Sequence, residues 1–149
     1  MKNYEINDKT LAIIPLSKEE TIIYEDNKTY VLSARTSKIM DESCKYYGST
    51  FEGRQKGTTH LTGLRYKAPI IISEDNNIVF FPTSSPRLKD CAWISLNNIK
   101  GYYAFEDKMV LEFMNNQKVE IEISEYILKN QILRASMLES TIRKRSGKR

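Results

Sequence analysis

The chain is poor in the residues that carry chemistry. Its 149 residues hold two cysteines, Cys44 and Cys91, and one histidine, His60. Two cysteines are too few for a disulfide scaffold, and neither has the CxxC or HxxxH spacing of a metal site. Two buried, reduced, metal-free thiols are expected. A lone histidine beside Gly57, Thr58 and Thr59 supports no triad, because a triad needs a base oriented by a third group. The paired acids Asp41-Glu42 and Glu19-Glu20 are adjacent in sequence and do not converge on one substrate. With no catalytic constellation, neither an enzyme activity nor a cofactor is expected. Long apolar runs are missing as well. No stretch approaches the ~20 apolar residues that cross a bilayer. The opening Met1-Lys2-Asn3-Tyr4-Glu5-Ile6-Asn7-Asp8 lacks the apolar run of a signal peptide. A cytoplasmic chain with no membrane partner is expected.

What is present suits one globular domain. Forty per cent of residues are hydrophobic and 28% charged, so wholesale disorder is excluded and one sizeable core is affordable at this length. The expected division is a single domain over residues 1–145 and a basic tail over 146–149. Net charge is +4, but its distribution says more than its sum. Residues 49–70 place Arg54, Lys56, Arg65 and Lys67 against Glu52 alone. Residues 131–149 hold six cations against Glu139, whereas residues 101–130 carry three cations against six acids. A chain polarised in this way suits a one-sided approach to a polyanion.

Periodicity predicts an α+β fold, mainly antiparallel sheet. Thr21-Ile22-Ile23-Tyr24 and Thr29-Tyr30-Val31-Leu32 straddle a polar turn, as do Ile70–Ile72 with Ile78–Phe81, and Met109–Met114 with Lys118–Ile123. In the last strand Val119, Ile121 and Ile123 face one way while Glu120 and Glu122 face the other. Ile39, Met40, Cys44 and Tyr47 line one face of a short helix. Ser49-x-x-Glu52 has the form of a capping box, yet Gly53 and Gly57 predict a broken, turn-rich segment rather than a regular helix. Ser124 caps the longest expected helix, 125–142, which buries Leu128, Ile132, Ala135 and Leu138.

The segment from Ser43 to Thr58 crowds three glycines, three cations and three aromatic rings into sixteen residues. Gly48-x-x-x-x-Gly53 has the glycine spacing of a phosphate loop, but Arg54-Gln55 stands where Lys-Ser/Thr must hold phosphate and magnesium. Bare glycine backbone, the hydroxyls of Ser49, Thr50 and Thr58, and the charges of Arg54 and Lys56 instead suit the backbone of a nucleic acid. The bland alternative is a glycine-rich surface connection with solvated cations. Trp93 is expected in the core, and Tyr46, Tyr47 and Phe51 are expected to divide between core and surface.

This segment, followed by Phe80-Phe81-Pro82-Thr83 and Cys91-Ala92-Trp93-Ile94-Ser95, resembles the competence transcription factor (ComK) family over residues 4 to 142. The resemblance implies a DNA-binding transcription activator. It implies recognition of A/T-rich double-stranded boxes chiefly through the minor groove, assembly as a homo-oligomer, and a proteolytic adaptor among its partners. A narrow A/T groove concentrates negative potential and draws in arginine. Arg54 is then the first groove candidate and Arg65 the second, with Lys45, Lys56 and Lys67 on phosphates. The strands closed by one C-terminal helix also resemble pleckstrin-homology-like modules, whose basic ends would face anionic lipid or a protein partner.

Overall fold

Runs of β-branched and aromatic residues form the strands, and short Asp/Asn-rich turns close them. The computed structural model describes residues 3–145 and Gly147; apart from that glycine, the expected basic tail lies outside the described residues. The chain runs β1 (Thr10–Pro15), β2 (Thr21–Glu25), β3 (Lys28–Leu32), α1 (Thr36–Tyr46), α2 (Phe51–Thr62), β4 (Ile70–Ser73), β5 (Ile78–Pro82), β6 (Trp93–Ser95), β7 (Ile99–Phe105), β8 (Lys108–Phe113), β9 (Lys118–Ile121) and α3 (Glu125–Arg145). Six strands form one sheet in the order β3-β2-β1-β6-β5-β4, and β7-β8-β9 form a second. Every pairing is antiparallel. The α+β expectation holds, and the three expected hairpins are β2–β3, β4–β5 and β8–β9.

Strands β4, β5 and β6 and most of β1 in the six-stranded sheet are buried on both faces. Ile13, Ile23, Ile70, Ile72, Phe80 and Trp93 join one core with Ile39, Met40 and Cys44 of α1. Ala12, Ile71, Val79, Phe81 and Ile94 point into a second core with β8, β9 and α3. This is why Ile70-Ile71-Ile72 and Ile78-Val79-Phe80-Phe81 read as unbroken apolar runs instead of alternating. β9, covered on one face, shows the alternation, with Val119 and Ile121 buried and Glu120 exposed.

Three expectations need correcting. Residues 51–62 are not broken: α2 is a continuous twelve-residue helix. The helix-capping residue is Thr50 rather than Ser49; its hydroxyl accepts from Gly53 N–H at 2.9 Å. Each glycine costs a helix about 1 kcal/mol relative to alanine, but tertiary contacts at both ends of α2 override that penalty. In α3, Leu128, Ala135 and Leu138 are buried as expected, whereas Ile132 is half-buried. Ser124 Oγ caps the helix by accepting from Ile127 N–H at 3.2 Å. No described helix is long and apolar enough to cross a membrane.

Cys44 and Cys91 are free, buried thiols. Burial pushes the Cys44 thiol from its ordinary 9.0 up to about 12, and burial raises Cys91 as well. A raised acid pKa means that unfolded thiols ionise first. Stability is therefore intact below pH 9.0 and falls as pH climbs towards about 12. In the native protein both thiols should resist a thiol reagent at mildly alkaline pH and react fully once denatured. A native thiol reacting at the denatured rate would contradict this burial.

Candidate nucleic-acid interface

Helix α2 is held at three points. Phe51 packs edge-on against Trp93, with ring centroids 5.5 Å apart at 90°. Its backbone N–H donates to Asp41 Oδ1 at 2.9 Å, which ties the start of α2 to α1. Further along, Thr58 Oγ1 donates to the Pro69 carbonyl at 2.7 Å. Gly63, at φ 81°, then ends the helix in the left-handed conformation that glycine adopts without strain. With Phe51 and Thr58 turned inward, Gly53, Lys56, Gly57 and His60 share the outward side of the helix.

The expected site residues separate into groups on this frame. Lys45, Ser49 and Thr50 sit at the N-terminal end of α2, which is about 18 Å long, and Arg65 and Lys67 follow its C-terminus. Lys45 pairs with Asp41 at 3.1 Å and Lys56 with Glu52 at 3.0 Å. Both are exposed i,i+4 pairs, so little holds them back from a stronger anion. Arg54, Arg65 and Lys67 form no salt bridge among the described residues. Arg54 is half-buried against β4: Nη2 donates weakly to the Ile72 carbonyl at 3.5 Å, and Nε is buried with no partner. Thr58 leaves the set. It is fully buried and its hydroxyl is spent on Pro69, so it cannot touch a ligand. Thr50 stays at the surface, but its oxygen already caps the helix.

The aromatic residues divide as expected. Tyr47 is half-buried and donates to the Ile6 carbonyl at 2.8 Å, Phe51 lies on Trp93, and Tyr46 projects at 66% exposure.

Two contributions were missed from the sequence. The C-terminal end of α3 comes alongside α2, so that Ile142 and Arg145 share a surface depression with Gly53, Arg54 and Gly57. Glu74 is the acid on its rim. The +5 charge of residues 131–149 hinted at this, but helical periodicity cannot say which helix lies beside another. The second is the loop after α2. Arg134 donates to the carbonyls of Tyr66 and Lys67, and Gln131 donates to Lys67 and Pro82, each at 2.8 Å. These bonds fix the loop carrying Arg65 and Lys67 while Tyr66 stands 81% exposed.

Asp41 organises the near end. The Phe51 N–H, assisted by Lys45, holds its carboxyl below the ordinary 3.8. A depressed carboxylate pKa contributes stability that is complete above pH 3.8 and is lost as pH falls through the folded value. Asp41→Asn should therefore be less stable than the parent at neutral pH, by about 1–2 kcal/mol for a charge-assisted bond. The gap should close in acid. Equal stability at neutral pH in denaturant titrations would show that Asp41 does not hold α2.

Comparison with known proteins gives the same lineage as the motifs. The family model described as ComK protein matches residues 1–147. The curated competence transcription factor of Bacillus subtilis (strain 168) is 32% identical over 149 residues, which span 97% of this chain and 78% of that protein. No solved structure gives a significant match. The chain belongs to the ComK protein family.

Proposed function

We propose that this protein is a DNA-binding transcription activator of the competence type. In this reading the outward side of α2, with the loop after it and the last turn of α3, meets A/T-rich DNA chiefly in the minor groove. The family relationship supports the class of function. The observation that carries the site is Gly57. Among the described residues a Cβ there would meet nothing within 4 Å, so no packing among them requires a glycine. Glycine in an exposed helix still costs about 1 kcal/mol relative to alanine. Bare backbone at that point is accounted for by a partner that comes closer than a side chain allows.

The chemistry fits a duplex. A helix with its side chains is about 10–12 Å across, too wide for a minor groove of about 6 Å. The groove is therefore entered by single side chains while α2 lies over the backbone. Arg54 is suited to entry: among the described residues it forms no salt bridge, its Nη2 makes a weak 3.5 Å contact with the Ile72 carbonyl, and its buried Nε has no partner to keep it. Arg65, on a loop pinned by Arg134 and Gln131, is the second candidate. Lys45, Lys56 and Lys67, with Ser49 and Thr50 beside them, supply phosphate contacts that fix position without reading sequence. Arg143, Lys144 and Arg145 extend the positive field at the same end.

Titration of A/T-rich and G/C-rich duplexes and of anionic vesicles across salt concentrations tests this. The parent should prefer the A/T duplex and ignore the vesicles. Arg54→Ala should lose about 1–3 kcal/mol on the A/T duplex and flatten the preference. Lys56→Ala should weaken both duplexes alike and lower the salt slope by about one unit. Gly57→Ala should raise stability by about 0.5–1 kcal/mol yet weaken duplex binding. Parent binding to vesicles but not to DNA would replace this function with a membrane-surface one, and an unaltered Arg54→Ala would remove Arg54 from the groove.

A further inference from the structure

Four strands lie at sheet edges: β3, β4, β7 and β9. An edge strand presents unpaired backbone N–H and C=O groups, a template for another chain unless it is covered, short or charged. β4 is covered, since α2 packs along it and Arg54 and Thr58 donate to the carbonyls of Ile72 and Pro69. β9 has four residues, with Lys118 and Glu120 exposed, and the five-residue β3 starts with exposed Lys28 and Thr29. β7 is different. It is the longest strand at seven residues, has no proline, and carries exposed Tyr103 and Phe105.

Which groups of β7 point outward follows from its register. Phe105 pairs with Lys108 across the two-residue turn Glu106-Asp107, and Tyr103 pairs with Val110. Residues flanking a two-residue turn exchange hydrogen bonds, and hydrogen-bonded pairs recur at every second residue. Phe105 and Tyr103 therefore bond to β8, and the N–H and C=O of Tyr102 and Ala104 face away from the sheet. Among the described residues nothing bonds to them.

A second β7 running antiparallel can use those groups only in registers that set outward residue against outward residue. Placing Tyr102 opposite the copy's Ala104 is one such register, with Tyr103 on the two-fold axis. It alone brings three further features together. Phe105 falls opposite the copy's Gly101, where a Cβ would meet nothing within 4 Å, so the ring has open space to cover. The two Tyr103 residues lie opposite each other on the outer face, each ring with Lys118 Nζ of its own chain 5.6 Å from its centroid. Lys100 of one copy, an exposed side chain held in its own chain by Asn116 at 3.1 Å and by a loose 4.0 Å pair with Glu112, comes near the Glu106-Asp107 turn of the other, so opposite charges lie near each end of the pair. Shifting by two residues in either direction separates the glycine from the phenylalanine and the lysine from the acids. The geometry points to the β7 edge as the contact through which two copies of this chain associate, joining their three-stranded sheets into one six-stranded sheet. This pairing does not depend on what α2 binds.

Sedimentation of the full chain over a concentration series, without DNA, should show a reversible monomer–dimer equilibrium. Ala104→Pro removes only an outward N–H, which an edge strand tolerates. It should retain the parent's circular dichroism while weakening association about ten-fold or more, since two bonds per dimer are lost. Tyr103→Cys places two thiols across a non-hydrogen-bonded pair, where Cα atoms are about 4.5 Å apart and within disulfide range. It should cross-link rapidly under mild oxidation, the buried Cys44 and Cys91 taking no part. Phe105→Cys lies about 13 Å from its counterpart, four residues along the strand, and should not cross-link. A parent that stays monomeric at its highest soluble concentration would overturn the proposal. So would a natively folded Ala104→Pro that associates like the parent, or a Phe105→Cys that cross-links as readily as Tyr103→Cys. Should Ala104→Pro lose its fold, the two cysteine variants decide alone.

Discussion

Phe51 meets Trp93 edge to face at 5.5 Å, and through that contact the first turn of α2 is fixed to the middle of the six-stranded sheet. Trp93 lies on β6, a central strand paired with both β1 and β5. Because the central strands of the sheet are apolar on both faces, each face must be covered there, and α1 with α2 covers one of them. Burying the Phe51 side of α2 leaves Gly53, Lys56, Gly57 and His60 outward. The surface proposed to meet DNA is thus the reverse side of a core contact. A disturbance at Trp93 would move it without touching any cation.

The opposite core carries charge of the other sign. β8 and β9, with α3, cover the second face, and the exposed residues of that half include Glu106, Asp107, Glu120 and Glu122. That acidic side repels a polyanion, while α2, the loop after it and the last turn of α3 attract one. Helix α3 serves both halves. Leu128, Ala135 and Leu138 fill the second core, Arg134 and Gln131 hold the Arg65–Lys67 loop, and its basic end reaches α2. One helix thereby links the core farther from α2 to the geometry of the proposed interface.

The hairpins and α3 were readable in advance because their signals are local: apolar runs, Asp/Asn turns, a serine cap and helical spacing. α2 was misread for the converse reason. Gly53 and Gly57 argue locally against a helix, while the contacts that hold it reach Trp93, Pro69 and Asp41, which are distant in sequence or on another helix. Thr58 looked like a phosphate ligand by composition, and only its position on the inner side of that helix shows it as a structural hydroxyl. β7 escaped notice altogether. Gly101 and Ala104 dilute its strand signal, and its partner β8 covers one edge only. The converging of Arg145 with Arg54 is a matter of helix packing, on which a linear sequence is silent.

The outward side of α2 is the face proposed to meet DNA. Amide hydrogen exchange, measured with and without a saturating A/T-rich duplex, addresses it without any mutation. Added protection is expected in residues 51–62, in the loop carrying Arg65 to Lys67, and in the last turn of α3, with β8 and β9 unchanged. Protection concentrated on β8 and β9, with α2 exchanging as it does in the free protein, would contradict it.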